Sequence, residues 1–237
     1  MKREKQLIRI KGEEEMLAKL IYENPLNQAA DIQHFIAEGQ PKITFQDGMI
    51  LANTYSEESN KQPHFVLWLP QQFPADLRIT WQFQPLAETG LCMLFFAAAN
   101  RKGGSIFDSG VPKRTGAYPE YHSGGVNAYH LSYFRRKYEE ERAFETCNLR
   151  KSHGFHLVAQ GADPLPSVAD ARGFYHLRID KVGATISFWI NDLLVLRYLD
   201  EEQFGPVLTK GAIGFRQMAP MKARYKDLKV YSLEEER

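Results

Sequence analysis

FYHLRIDKVGATISFWINDLLVLRYLD, residues 174–200, holds three runs of alternating apolar and polar residues punctuated at Val182-Gly183 and Asn191-Asp192. A period of two sends successive side chains to opposite faces of a strand. Gly and Asn accept the left-handed backbone that a tight hairpin turn needs. The stretch therefore reads as a β-meander with one face in a core. Working outward from it, ten further short β-rich runs separated by turn residues lie between Lys42 and Ser232, giving thirteen expected strands. That spacing is the signature of an antiparallel sandwich, and the expected fold class is all-β, a two-sheet antiparallel jelly roll. One short N-terminal helix is expected over Asp31–Gly39, with Asp31 as cap, Ile32, Phe35 and Ile36 as an apolar stripe, and Gly39 and Pro41 as its stop. A marginal helix over Glu13–Leu20 is also readable.

The chain has 237 residues, 43% of them hydrophobic and 25% charged. This suits one domain with its own core. We read residues 1–21 as a charged extension, 22–233 as the sandwich and 234–237 as a charged tail. Lys and Arg total 30 against 29 Asp and Glu, a net charge of +1, so no global field draws the chain to nucleic acid or anionic lipid. Cys92 and Cys147 do not make a disulfide framework, and both are expected to be reduced and structural. Charges interrupt every apolar run near the N-terminus, and no run approaches the roughly 18–20 apolar residues of a membrane span. The expected location is the cytoplasm. Residues 100–127 form a long Gly- and Pro-rich excursion with basic and aromatic side chains, the kind of loop that is usually functional.

The closing segment GAIGFRQMAPMKARYKDLKVYSL (211–233) resembles the end of concanavalin A-like lectin and glucanase jelly rolls. More specific are DIQHFIAEG (31–39), HFVLWLP (64–70), YHSGGVNAYHLSYFRR (121–136) and NLRKSHGFHLVAQGADPLP (148–166). Together these resemble an uncharacterised bacterial family of that superfamily, the YesU-like family, over roughly residues 22–233. The resemblance implies a galectin-like sandwich with a concave sheet and settings of plant-polysaccharide utilisation, pectic ones included. It implies no established reaction.

A retaining glucanase needs two carboxylates about 5–5.5 Å apart. The Glu-x-Asp-x-x-Glu string that supplies them in the superfamily is missing. Acidic runs such as Glu139–Glu141 read as solvated surface. The galectin strings His-x-Asn-x-Arg and Trp-x-x-Glu are missing too. No cofactor is called for; a structural calcium is compatible with the sequence, but no dense set of oxygen ligands is visible, and no metal residues are named.

Alternation supplies candidate site residues. In 64–69, Phe65, Leu67 and Leu69 face one way and His64, Val66 and Trp68 the other. In 129–134, Tyr129, Leu131 and Tyr133 oppose His130, Ser132 and Phe134, and Asn148 and Arg150 oppose Cys147 and Leu149. If the apolar sets face the core, His64, Trp68, His130, Asn148 and Arg150 share the concave sheet as an aromatic platform ringed by polar groups. Tyr121, His122, Asn127, Arg135, Lys151, His153 and His156 are further candidates for substrate contact. Each is also an ordinary packing or surface residue when taken alone, and Trp81 and Trp189 read as core packing.

The expected partner is an oligosaccharide. If the protein is an enzyme, the most specific reading is β-elimination on an acidic sugar. His130 would be the base, Tyr133 its substitute, and Arg150 with Asn148 would bind the carboxylate. A non-catalytic sugar-binding domain is the alternative, and a structural or protein-interaction sandwich the second. Exposed edge strands leave a homodimer open.

Overall fold

The computed structural model describes residues 5–9, 15–53 and 63–235. These residues include sixteen strands: β1 (Lys5–Arg9), β2 (Glu15–Asn24), β3 (Ile36–Glu38), β4 (Lys42–Phe45), β5 (Met49–Asn53), β6 (Phe65–Phe73), β7 (Leu77–Ala87), β8 (Leu91–Asn100), β9 (Val126–Tyr133), β10 (Thr146–Lys151), β11 (His156–Ala162), β12 (Tyr175–Val182), β13 (Thr185–Ile190), β14 (Leu193–Leu199), β15 (Gly211–Met218) and β16 (Met221–Glu235). Two short helices, α1 (Pro119–His122) and α2 (Glu139–Ala143), sit in the connections flanking β9.

The strands form two antiparallel sheets. One has nine strands in the order β1-β2-β16-β7-β12-β13-β14, with β5 and then β4 added beside the first half of β16. The other has seven in the order β11-β10-β9-β8-β15-β6-β3. The meander of 174–200 is β12-β13-β14, and its turns carry Gly183 at φ 54° and Asn191 at φ 52°. Between the sheets lie the inward sets of both, with Trp81, Phe83, Tyr133, Phe188, Phe215 and Tyr225 in mutual ring contact. Each large side chain so buried stabilises the fold by about 1.5–3 kcal/mol. A core of this size needs no crosslink, and Cys92 and Cys147 are both free and buried.

The N-terminal helices expected from the sequence do not form. Residues 29–32 make one 3-10 turn, and 36–38 are β3, an edge strand on β6. Asp31 does not begin a helix over 31–39; it lies in the 3-10 turn that starts after Gln28, where its carboxylate accepts from the backbone N–H groups of Asn27 and Gln28 at 2.7 and 3.0 Å. From Glu15 onward the second expected helix is β2, paired with the end of β16, while Glu13 and Glu14 lie outside the described residues. Trp189 does not enter the core: it shares the outer face of β13 with Thr185 and Ser187 beneath Arg178, whereas Ile186, Phe188 and Ile190 point inward. The Glu139–Glu141 run is not wholly solvated either. Glu141 is buried against Arg135 at 2.6 Å. Among the described residues no helix is long and apolar enough to cross a membrane.

Candidate functional site

The outer face of the seven-stranded sheet is ordered in transverse rows. Register aligns Trp68, Gly214, Phe95, His130, Arg150 and Leu157 in one row. The next row holds Val66, Arg216, Met93, Ser132, Asn148 and Gln160. The two ends of this face differ in what covers them.

At the β6 end, residues 101–125 fold over the sheet and seal it. Ile106, Tyr121 and the partly buried Phe107 join Val66, Trp68, Phe95 and Ala128 in a second apolar cluster. Trp68 is 0% exposed; it lies flat against Gly214, where a Cβ would meet its ring at 2.4 Å. Its indole N–H donates to Glu38 Oε2 at 2.8 Å, and the Tyr121 hydroxyl donates to the same oxygen at 2.7 Å. Trp68 and Tyr121 are therefore packing residues and not an open sugar platform. Alternation found the correct face for Trp68, but the cover comes from a distant loop.

At the β9-β10-β11 end the face is more open. The hairpin tip at 152–155 is tied to α1 by Gly154 N–H donating to the His122 carbonyl at 2.8 Å. This places Phe155, 40% exposed, beside Tyr118 and His122, with ring centroids 5.5 and 5.0 Å away. The Arg150 guanidinium lies 4.0 Å from the Phe155 ring centre and donates to the Phe155 carbonyl at 3.0 Å. Asn148 is flanked by Gln160 at 2.7 Å and, with its amide oxygen turned toward it, by Arg135 at 3.0 Å. Arg135 also donates to Thr146 Oγ1 at 2.7 Å. His122, His130, Asn148, Arg135 and Arg150 thus gather around one half-open strip.

His130 forms the floor of that strip. Its Nε2 is 3.2 Å from the Tyr118 hydroxyl, and its Nδ1 is buried without a hydrogen-bond partner. Burial, reinforced by the charges of Arg150, Arg216 and Arg135, lowers its pKa to about 3, so the imidazole is neutral at ordinary pH. Burial also raises Tyr118 to about 12. Beneath Tyr118, the fully buried Arg216 is held at 4.9 Å from the rings of both Tyr118 and Tyr121 and donates to the Gly116 carbonyl at 3.0 Å.

The remaining candidates are elsewhere. His64 accepts from Ala219 N–H through Nδ1 at 3.0 Å, near the sealed end. Asn127 and Tyr133 have the inward parity of β9, and Tyr133 is in the inter-sheet core, so it cannot replace His130 as a base. Phe134, expected beside His130, also turns into the core because its backbone has φ 46° and breaks the alternation. Lys151 is 1% exposed in an ion pair with Asp200 at 2.7 Å and cannot lend charge to a substrate. His153 belongs to the hairpin tip, and His156 stacks on Phe204 at 4.0 Å.

Sequence reasoning missed Glu38, Tyr118, Phe155, Gln160 and Arg216. The aromatic-rich string AYPEYH (117–122) inside the long loop was the available signal for Tyr118. Among the described residues, no three His, Cys, Asp or Glu side chains gather in a way that could hold a metal ion.

Residues 19–230 match the family described as "Domain of unknown function (DUF1961)". "Uncharacterized protein YesU" of Bacillus subtilis (strain 168) is 53% identical over 212 residues, 89% of this chain and 94% of that protein. A crystal structure of a protein of unknown function with galectin-like fold from Bacillus subtilis aligns with a TM-score of 0.87 at 47% identity, covering 98% of this chain and 100% of the other. At the level of fold alone, the endo-β-1,3-glucanase of Pyrococcus furiosus aligns with a TM-score of 0.64 at 10% identity over 97% and 99% of the two chains. The carbohydrate binding module CBM66 of Bacillus subtilis gives 0.54 at 14% identity over 84% and 95%. The chain belongs to the DUF1961 family of galectin-like β-sandwiches.

Proposed function

We propose that this protein binds an oligosaccharide on the half-open strip over β9, β10 and β11, and that the preferred sugar is acidic. One observation carries the reading: Arg150 lies against the exposed Phe155 ring within a patch that also offers Tyr118 and Gln160, above the buried Asn148 and the ion-paired Arg135. A pyranose has an apolar C–H face and a polar rim, and this patch pairs an aromatic surface with hydrogen-bonding edges. The Arg150 guanidinium, which has no carboxylate partner among the described residues, favours a carboxylate on the sugar, since an Arg fork matches carboxylate geometry; Arg135 is already paired with Glu141 and shapes the rim of the strip. The glucanase and the carbohydrate binding module that share the fold support the class of ligand.

β-Elimination is the enzymatic extension of this reading. Arg150, with Asn148 beside it, would neutralise the carboxylate while His130 takes the proton on the adjacent carbon through Nδ1, the carbon–oxygen bond one carbon further on breaks, and the departing oxygen takes a proton from water. Tyr118 and Phe155 cover that imidazole, and its burial holds the pKa at about 3, too low for a base, so turnover requires them to move aside and let solvent reach the ring. Calorimetric titration with neutral and uronic-acid oligosaccharides, pectic fragments first, tests the binding. Saturable heat that Arg150→Ala and Phe155→Ala each weaken supports it. No binding across the panel, or binding that both variants retain, overturns it. Ultraviolet-absorbing unsaturated product in the same mixtures selects the lyase, and binding without product selects a sugar-binding domain.

A further inference from the structure

The outer face of the nine-stranded sheet, on the opposite side of the sandwich from the strip above, carries a groove of about 460 Å³. Its floor is low because β2 and β7 place the small side chains Ala18 and Thr80 among long neighbours. Register puts Lys229 and Arg178 on either side of Thr80 in one transverse row. With strands about 4.8 Å apart, their backbones stand roughly 10 Å from each other. Two long cationic side chains at that separation can meet on one anion above Thr80.

The two arginines of the groove differ in their commitments. Arg78 is fully engaged, bidentate to Asp180 at 2.5 and 2.6 Å. Arg178 is not: its Nε lies 3.7 Å from Asp180 Oδ2, beyond hydrogen-bond reach, and Nε is buried without a hydrogen-bond partner. Its guanidinium is instead held 3.9 Å from the ring centre of Trp189. Stacking fixes the plane of the fork and uses none of its N–H groups, so the cation is pre-organised at little further entropic cost. Burial penalises its charge and lowers its pKa, a penalty that a bound anion offsets. Lys229 has no carboxylate partner among the described residues. Gln82, His176 and Tyr231 add hydrogen-bonding groups along the groove, and one carboxylate, the exposed Asp227, lines it on the same strand as Lys229; with Arg78 and Asp180 cancelling each other, Arg178 and Lys229 still leave the groove with an excess of positive charge.

We propose that this groove is a binding site for a small polar molecule bearing an oxyanion, a carboxylate or a phosphate group, gripped jointly by Arg178 and Lys229. Its volume lies within the ~300–1,000 Å³ range of small-molecule pockets, so there is room for a polar body beyond the oxyanion. The site is independent of the sugar strip, and its failure leaves that reading untouched.

Inorganic phosphate and glucuronate, titrated separately at constant ionic strength, probe the two oxyanion chemistries. Trp68 and Trp81 are fully buried, so a change in tryptophan emission reports mainly on Trp189 beneath Arg178. Backbone amide shifts at Thr80 and Lys229 give a readout that does not depend on the indole. A saturable response to either probe is expected, weakened at least tenfold in Arg178→Gln and in Lys229→Gln while both variants melt as the parent does. Saturation by phosphate alone, or by glucuronate alone, identifies the oxyanion. No saturation with either probe, or saturation that both variants retain, overturns the proposal.

Discussion

Glu38 and Arg114, 76 positions apart, form a buried two-pronged ion pair, with Nε to Oε2 at 3.0 Å and Nη2 to Oε1 at 2.5 Å. The same carboxylate also accepts from Trp68 and Tyr121, so one edge-strand residue holds the 101–125 loop on the sheet. Removing one partner of a buried pair leaves an uncompensated charge, at a cost of about 3–5 kcal/mol. Glu38→Gln should therefore lower the melting midpoint by roughly 10 °C, given about 2–4 °C per kcal/mol for a domain of this size. Trypsin should cut at Lys113 or Arg114 sooner than in the parent. An unchanged midpoint with unchanged cleavage would show that apolar packing alone holds the loop.

His130 makes the fold acid-sensitive. Its folded pKa is about 3 against an unfolded value near 6.5, so between these limits the unfolded chain binds one proton more. The stability it contributes is complete above pH 6.5 and declines as pH falls toward 3. The slope is about 1.4 kcal/mol per pH unit for one proton, which gives about 2 kcal/mol between pH 7 and pH 5. His130→Gln should lose about 2 kcal/mol less than the parent over that interval in urea unfolding. Parallel losses in the two proteins would place the sensitivity on other groups.

The strands were largely legible because alternation is a local property. All thirteen runs between Lys42 and Ser232 appear as β4–β16. Residues 31–39 misled because Ile32, Phe35 and Ile36 fall at helical spacing, yet Glu38 is drawn away by Trp68, Tyr121 and Arg114. No short-range pattern contains those partners. The candidate strip was legible to the same extent: parity separated His130 and Ser132 from Tyr129, Leu131 and Tyr133, and failed at Phe134, where the backbone turns left-handed. Parity also could not tell the covered end of the sheet, at Trp68, from the open end, at Arg150. That difference is made by the 101–125 loop.

Lys151 separates folding from binding. Its Nζ meets Asp200 Oδ2 at 2.7 Å, with side-chain exposures of 1% and 0%, and also donates to the carbonyls of Gly205 and Pro206 at 2.6 and 3.1 Å. Lys151→Ala strands Asp200, which then has only hydroxyl and backbone donors. A loss of about 3–5 kcal/mol is expected, read as a lower urea midpoint. Oligosaccharide affinity measured where the variant is still folded should stay within twofold of the parent. A selective loss of affinity without a loss of stability would return Lys151 to the binding surface.

Arg150 is the residue on which the acidic-sugar reading can be separated from sugar binding in general. Its guanidinium is placed by the Phe155 ring at 4.0 Å and the Phe155 carbonyl at 3.0 Å, a geometry that an ammonium group cannot reproduce. Arg150→Lys keeps the positive charge but loses the planar fork and the stacking contact. If the fork recognises a carboxylate, Arg150→Lys should weaken binding of uronic-acid oligosaccharides about tenfold, or about 1.4 kcal/mol. Neutral oligosaccharides should be affected less than threefold. Arg150→Ala should weaken both, because it also removes the stem that supports Phe155. Calorimetry on the three proteins decides: equal loss for neutral and acidic sugars in Arg150→Lys would mean that Arg150 acts by holding Phe155 and not by reading charge.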